Sequence, residues 1–118
     1  MGCTLALRRL LVAIERVEPG RVGGQRIAFG VSSDNINMVF DVIGELINVT
    51  PGDKLEVIVS EVKPENIDEY EFCGHGYLVA PESKFNETIL SLWGIVFKFK
   101  PPLGLEMDRK YYLCLRHL

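Results

Sequence analysis

The sequence predicts an all-β fold, a small barrel or sandwich, on three observations. Runs of alternating apolar and polar residues recur along most of the chain, and period-two alternation places successive side chains on opposite faces of a half-buried strand. Turn-forming Gly, Pro, Asn and Asp separate these runs at roughly 8–12-residue spacings. A chain of 118 residues has room for one core and not two, so residues 1–118 read as a single domain.

The first segment carries two patterns. Leu7, Leu10, Leu11, Ile14 and Val17 have the i, i+3, i+4, i+7 spacing of an amphipathic helix, while Leu10, Val12 and Ile14 alternate as a strand would. Pattern alone favours helix there. The next run, "QRIAFGVSSDN", places Ile27, Phe29 and Val31 on one face, expected in the core, against Arg26, Ala28, Gly30 and Ser32. "SSDN" is a hairpin-like connection, after which Ile36, Met38, Phe40 and Val42 share a face. Leu55, Val57 and Val59 alternate with Lys54, Glu56 and Ser60. "EYEFCGHGYLVA" is a fifth strand candidate, whose Gly74 and Gly76 suggest a bend or a close backbone approach. "ILSLWGIVFKFK" and "KYYLCLRHL" supply the last two.

Between these runs, Pro51-Gly52-Asp53-Lys54 raises the question of an anion-binding loop. Such a loop needs several glycines and a helix N-terminus behind it. Here one Gly is followed by a strand pattern. Pro51 and Gly52 suit the central positions of a type II turn, where Gly supplies the positive φ.

Composition excludes several function classes. With 47% hydrophobic and 25% charged residues, the chain reads as an ordinary soluble globular protein, and no apolar run approaches the roughly 20 residues of a membrane-spanning helix. Arg8 and Arg9 interrupt the apolar N-terminal stretch, which argues against a secretory signal. Gly2 begins an N-myristoylation pattern that Leu5 and Ala6 then miss. Cys3, Cys73 and Cys114 are odd in number and far apart, so no disulfide framework is expected and a reducing, intracellular compartment fits. The net charge of −3 is unevenly laid out: residues 1–30 hold five Arg against two acids (+3), residues 31–95 twelve acids against three Lys (−9), and residues 96–118 five bases against two acids (+3). If the two basic ends meet in space, the surface is two-sided.

Chemistry-bearing constellations are weak. Cys73, His75, Cys114 and His117 could supply four zinc ligands, but Cys114 and His117 fall on opposite faces of a strand and neither spacing is a zinc knuckle. No metal site and no cofactor are expected. Cys73 beside His75 is the one local nucleophile–base candidate, without a nucleophile-elbow motif. Aromatic and basic residues interleave in "LWGIVFKFK" and "RKYYLCLRH", as on a single-strand-binding barrel, against a net negative charge that weakens nucleic-acid affinity. Within "LSLWGIVF", read as one strand, Ile89, Trp93, Ile95 and Phe97 lie on one face and Leu90, Leu92 and Val96 on the other. A barrel interior can take only one of two apolar faces, so the other is expected to meet a partner. Leu90, Leu92, Trp93, Ile95 and Lys98 are therefore the candidate partner-binding residues, with outward apolar area added by "LINV", Ile58 and Val62.

In order and spacing, "INMVFDVIGELINVTPGDKLEVIVSEV", "EYEFCGHGYLV" and "SLWGIVFKF…LEMDRKYYLCLRHL" resemble the eighth-subunit family of eukaryotic and archaeal DNA-directed RNA polymerases. The Met-Val-Phe-Asp-Val run, the Gly-Asp-Lys turn and the closing Asp-Arg-Lys-Tyr-Tyr-Leu strand carry most of the likeness, and "LLVAIERVEPGRVGGQRIAFGVSS" fits the family's opening hairpin. The resemblance implies an antiparallel OB-like β-barrel with a strand, not a helix, over residues 7–17. It also implies a non-catalytic subunit that packs on the largest subunit near the pore and funnel, and on the alpha-like subunit. Eukaryotic members carry a long acidic loop where this chain has only "KPENID"; the compact form looks archaeal, which implies a cytoplasmic protein. The alternative is a free-standing OB-type single-stranded nucleic-acid-binding protein.

Overall fold

The computed structural model describes residues 7–42, 44 and 47–118; Gly2, Cys3 and Leu46 of the readings above lie outside them. The strands are β1 (Leu7–Pro19), β2 (Arg26–Ser32), β3 (Asn37–Val42), β4 (Lys54–Ser60), β5 (Phe72–Leu78), β6 (Thr88–Leu92), β7 (Ile95–Lys100) and β8 (Tyr111–His117), with one short helix, α1 (Glu82–Phe85), between β5 and β6. They close into an antiparallel barrel in the order β1-β2-β3-β7-β6-β5-β8-β4, and the fold is all-β as expected.

Strand β1 makes the closure. Its first half, Leu7–Ala13, pairs with β4, and its second half, Val12–Pro19, pairs with β2. A β-bulge between Ile14 and Arg16 inserts one extra residue. Ile14 and Val17, three apart, therefore both face the core. That slip of phase imitates part of a helical period, while Leu7 and Leu11 sit on the outer face and remain exposed.

The interior is filled by Leu10, Val12 and Ile14, Met38 and Phe40, Leu55, Val57 and Val59, and the phenylalanines of β7. Fully burying each such side chain stabilises by about 1.5–3 kcal/mol. Phe40 stacks on Phe97 with ring centroids 5.7 Å apart. On β2 the expected face is reversed: Ala28, Gly30 and Ser32 point inward, while Ile27, Phe29 and Val31 point out and are half-buried. The reason is space. A Cβ on Gly30 would stand 2.6 Å from Val12 Cγ1 and 2.9 Å from the Ala13 carbonyl oxygen, so β1 lies too close for large inward residues on β2.

Pro51-Gly52 is the expected turn, with Gly52 at φ 95° and the Asp53 amide donating to the Thr50 carbonyl. Gly76 is a close approach: a Cβ there would stand 1.9 Å from the Ser91 carbonyl oxygen. Ile47 and Val49 of "LINV" are buried, not outward as expected. The cysteine reading is also corrected. Cys73 of β5 and Cys114 of β8 are directly opposite, with Cα atoms 4.1 Å apart, and form a disulfide. Residues 41 positions apart in sequence become neighbours only because the barrel places β8 beside β5.

Candidate docking surface

Two outer faces of the barrel differ sharply. β3 and β8 stand four places apart in a ring of eight strands, so the β2–β3–β7 face and the β4–β8–β5 face lie on opposite sides.

On the β4–β8–β5 side the chain covers itself. Residues 61–71 carry five acids against Lys63 and include a single 3-10 turn, Ile67–Glu69. Cys114 points outward yet is fully buried, and Glu56 is only 3% exposed. Glu56 bridges three strands, accepting from Arg9 of β1 and, at 2.7 Å, from Nε of Arg116 of β8. Burial pushes its carboxyl up, but the two guanidinium hydrogen bonds outweigh this and hold it below the usual carboxylate range. Arg116 also lies over the Tyr70 ring and pairs with Glu69. His117 is clasped from two sides: Nδ1 is 2.7 Å from Glu71 Oε1, Nε2 is 3.0 Å from Asp53 Oδ2, and its backbone amide donates to Glu71 Oε2. Burial lowers its pKa, while the hydrogen bonds to Glu71 and Asp53 raise it further, leaving it above 6.5.

The β2–β3–β7 side has no such cover among the described residues. Phe29, Val39 and Lys98 form one outward cross-strand row; Val31, Asn37 and Lys100 form the next. Two hollows flank the rows. One of about 230 Å³ is lined by Ile27, Val39, Phe40, Asp41, Val96 and Lys98. The other, of about 410 Å³, runs across β1 toward β4 and is lined by Leu11, Val12, Ala13, Val31, Ser32, Ser33, Lys54 and Leu118.

Between the two faces stands the β6–β7 hairpin. "LSLWGIVF" is not one strand: Leu92 pairs with Ile95 across a two-residue turn, Trp93-Gly94. Both turn residues have positive φ, 55° and 90°, as a type I′ turn requires. The turn puts Leu90, Leu92 and Phe97 on the same inner face, so the expected two-sided apolar strand is a hairpin with one apolar side. Of the candidate partner-binding residues, Leu90 and Leu92 are fully buried in the core, Ile95 is half-buried against it, and Trp93 and Lys98 are exposed. Trp93 is 70% exposed. Asn or Asp is the usual non-glycine residue in its position; a bulky residue at positive φ is a true outlier, costing on the order of 1–3 kcal/mol.

Beside Trp93 is a cleft of about 280 Å³ lined by Lys63, Ile67, Cys73, Gly74, His75 and Tyr112. The His75 ring meets Trp93 and Tyr112 edge-on, at centroid distances of 5.2 and 5.7 Å. Its Nδ1 is buried without a hydrogen-bond partner among the described residues. Cys73 is bonded to Cys114, which takes it out of a nucleophile–base pair with His75, and His117 faces carboxylates elsewhere. Cys73 and Cys114 meet as a disulfide, and the four residues weighed as zinc ligands form no common cluster among the described residues. Sequence reasoning missed Glu56 and the His117 clasp, whose partners come from distant strands. It also missed the turn at Trp93, which Gly94 alone could have signalled.

The sequence model of a family described as the RpbG subunit of DNA-directed RNA polymerase matches residues 9–118. A curated relative, DNA-directed RNA polymerase subunit Rpo8 of Saccharolobus solfataricus, is 33% identical over 75 residues, covering 58% of this chain. The match spans 56% of that protein, a little over half its length. The family match runs through seven complete strands and all of β1 but its first two residues, and on it the chain belongs to the RpbG family of DNA-directed RNA polymerase subunits.

Proposed function

We propose that the chain is a non-catalytic docking subunit of a DNA-directed RNA polymerase, seated on the largest subunit and the alpha-like subunit and working in the cytoplasm. The observation that carries the docking reading is Trp93, a large aromatic held at a strained turn position with most of its surface in solvent. Strain at an exposed residue points to use rather than to stability, and Trp is the residue most enriched at interface hot spots. Ile95 and Lys98 flank it on β7; Leu90 and Leu92 act from the core by holding the hairpin.

The test is retention of the tagged chain in polymerase purified from the native cell. Trp93→Ser should leave the barrel folded and reduce co-purification of the large subunits, with a loss of roughly 2–4 kcal/mol of binding. Lys98→Ala, at the rim, should matter far less. Undiminished co-purification of the Trp93→Ser variant would move docking away from the hairpin. The aromatic and lysine side chains around His75 support a second reading, single-strand binding. Trp93 is the sole tryptophan, so quenching of its fluorescence by an oligonucleotide at physiological salt would favour that alternative.

A further inference from the structure

We propose that the β2–β3–β7 face is a second docking surface, and that its occupant is an acidic, apolar-bearing segment of another polymerase subunit. The proposal rests on the docking reading above and adds which face is used and what chemistry covers it.

The first argument is the molecule's own precedent. Opposite this face, the barrel is covered by residues 61–71, a segment rich in carboxylates that turns Ile67 and Tyr70 toward the sheet. Its carboxylates pair with cations of β8, Glu69 with Arg116 and Glu71 with His117, and Glu61 pairs with Arg109 in the loop that leads into β8. The outer surface of β2–β3–β7 has the same ingredients without the cover: half-buried Ile27, Phe29, Val31 and Val39, bordered by lysines.

The second argument is charge. Lys98 lines the hollow beside Val39 and Lys100 follows on β7; neither makes an ion pair among the described residues. On β2, β3 and β7 the one carboxylate, Asp41, is outnumbered by Lys98 and Lys100. Asp41 accepts from Gln25 Nε2 and the Val96 amide, both at 3.4 Å. Glu18 is paired with Arg16, whose guanidinium lies 4.0 Å over the Phe29 ring. Glu15 is on β1, at the far margin from Lys98. The hollow beside Val39 offers Ile27, Val39 and Val96 with the Lys98 ammonium and the hydrogen-bonded Asp41 carboxylate on its lining. A side chain of Leu or Phe size seated there would place a neighbouring carboxylate within reach of Lys98 or Lys100. A nucleic acid would satisfy the lysines but leave the aliphatic floor unmatched, which is why a protein segment is favoured.

The experiment uses the chain within polymerase purified from the native cell, with a photo-crosslinking amino acid at position 39 and, separately, at position 93. We expect position 39 to crosslink to a segment of another polymerase subunit in which Asp and Glu outnumber Lys and Arg. We also expect Lys98→Glu combined with Lys100→Glu to reduce retention through a salt wash about tenfold, while Lys84→Glu, on α1 and outside both surfaces, leaves it unchanged. Crosslinking of position 39 to nucleic acid, to a second copy of this chain or to a basic segment overturns the proposal. So does silence at position 39 when position 93 crosslinks to a polymerase subunit, an outcome that leaves the docking reading standing. Silence at both positions together with loss of co-purification removes the docking reading as well.

Discussion

The two outer faces of this barrel are built from the same kind of strand and differ in what lies over them. On β4–β8–β5, outward residues are sealed: a buried carboxylate tied to two arginines, a disulfide, and the acidic segment 61–71 above them. On β2–β3–β7, most outward residues are apolar and half-buried, and Lys98 and Lys100 beside them make no ion pair among the described residues. The first face therefore carries stability within the chain, while the second carries surface that gains energy only when something else buries it.

That contrast can be broken by substitution. The largest effect is expected at the disulfide: Cys73→Ser should lower the unfolding free energy of the purified chain by about 2–4 kcal/mol, read by denaturant titration. A titration in which both cysteines of that pair react as free thiols in the native protein would show that the covered face is not held covalently. Next comes Glu56→Gln, which keeps the shape but removes the charge between Arg9 and Arg116. A loss of about 1–3 kcal/mol is expected, and a loss below the error of the titration would demote this buried bridge.

A smaller effect is expected from pH. His117 has a raised pKa in the folded chain, so its contribution is fully present below its ordinary value of 6.5 and is lost as pH rises through the raised one. Asp53, held low mainly by the Thr50 amide, and Glu71, held low mainly by the His117 amide, lose their contributions as pH falls through their lowered values. Melting temperature should thus fall as pH rises from 6.5 through the raised His117 value in the parent chain, and less so in His117→Gln. Equal slopes would rule the clasp out as a source of stability. The smallest effect belongs to the uncovered face. Val39→Thr should change the stability of the isolated chain by no more than about 0.5 kcal/mol, and a drop of several times that would mean the face is already buried by the chain itself.

Much of the fold was legible because alternation is a local signal. Met38, Phe40, Leu55, Val57 and Val59 face inward as their spacing predicts. What escaped depends on neighbours the sequence does not adjoin. The face of β2 is decided by how closely β1 passes Gly30, and larger residues on its outward side disguised which side was inner. The bulge in β1 gave a strand part of a helix's period. At the hairpin, apolar residues on either side of Trp93-Gly94 hid a turn inside what reads as one run, so the pattern left open which face is outward, and Leu90 and Leu92 prove to be core. Trp93 itself was legible as a candidate, though its placement at the tip was not.

Strand β4 is held between β1 and β8, the earliest and latest of the eight strands to leave the ribosome. Until β8 has been made, β4 and β5 both present unpaired edges, and β1 can close only one side of β4. Ring closure therefore waits for β8, and contacts this distant in sequence form slowly. Open edges during that interval are exposed to mispairing. The order of events is set by topology: β8 emerges, the ring shuts, and only a closed barrel presents both outer faces complete.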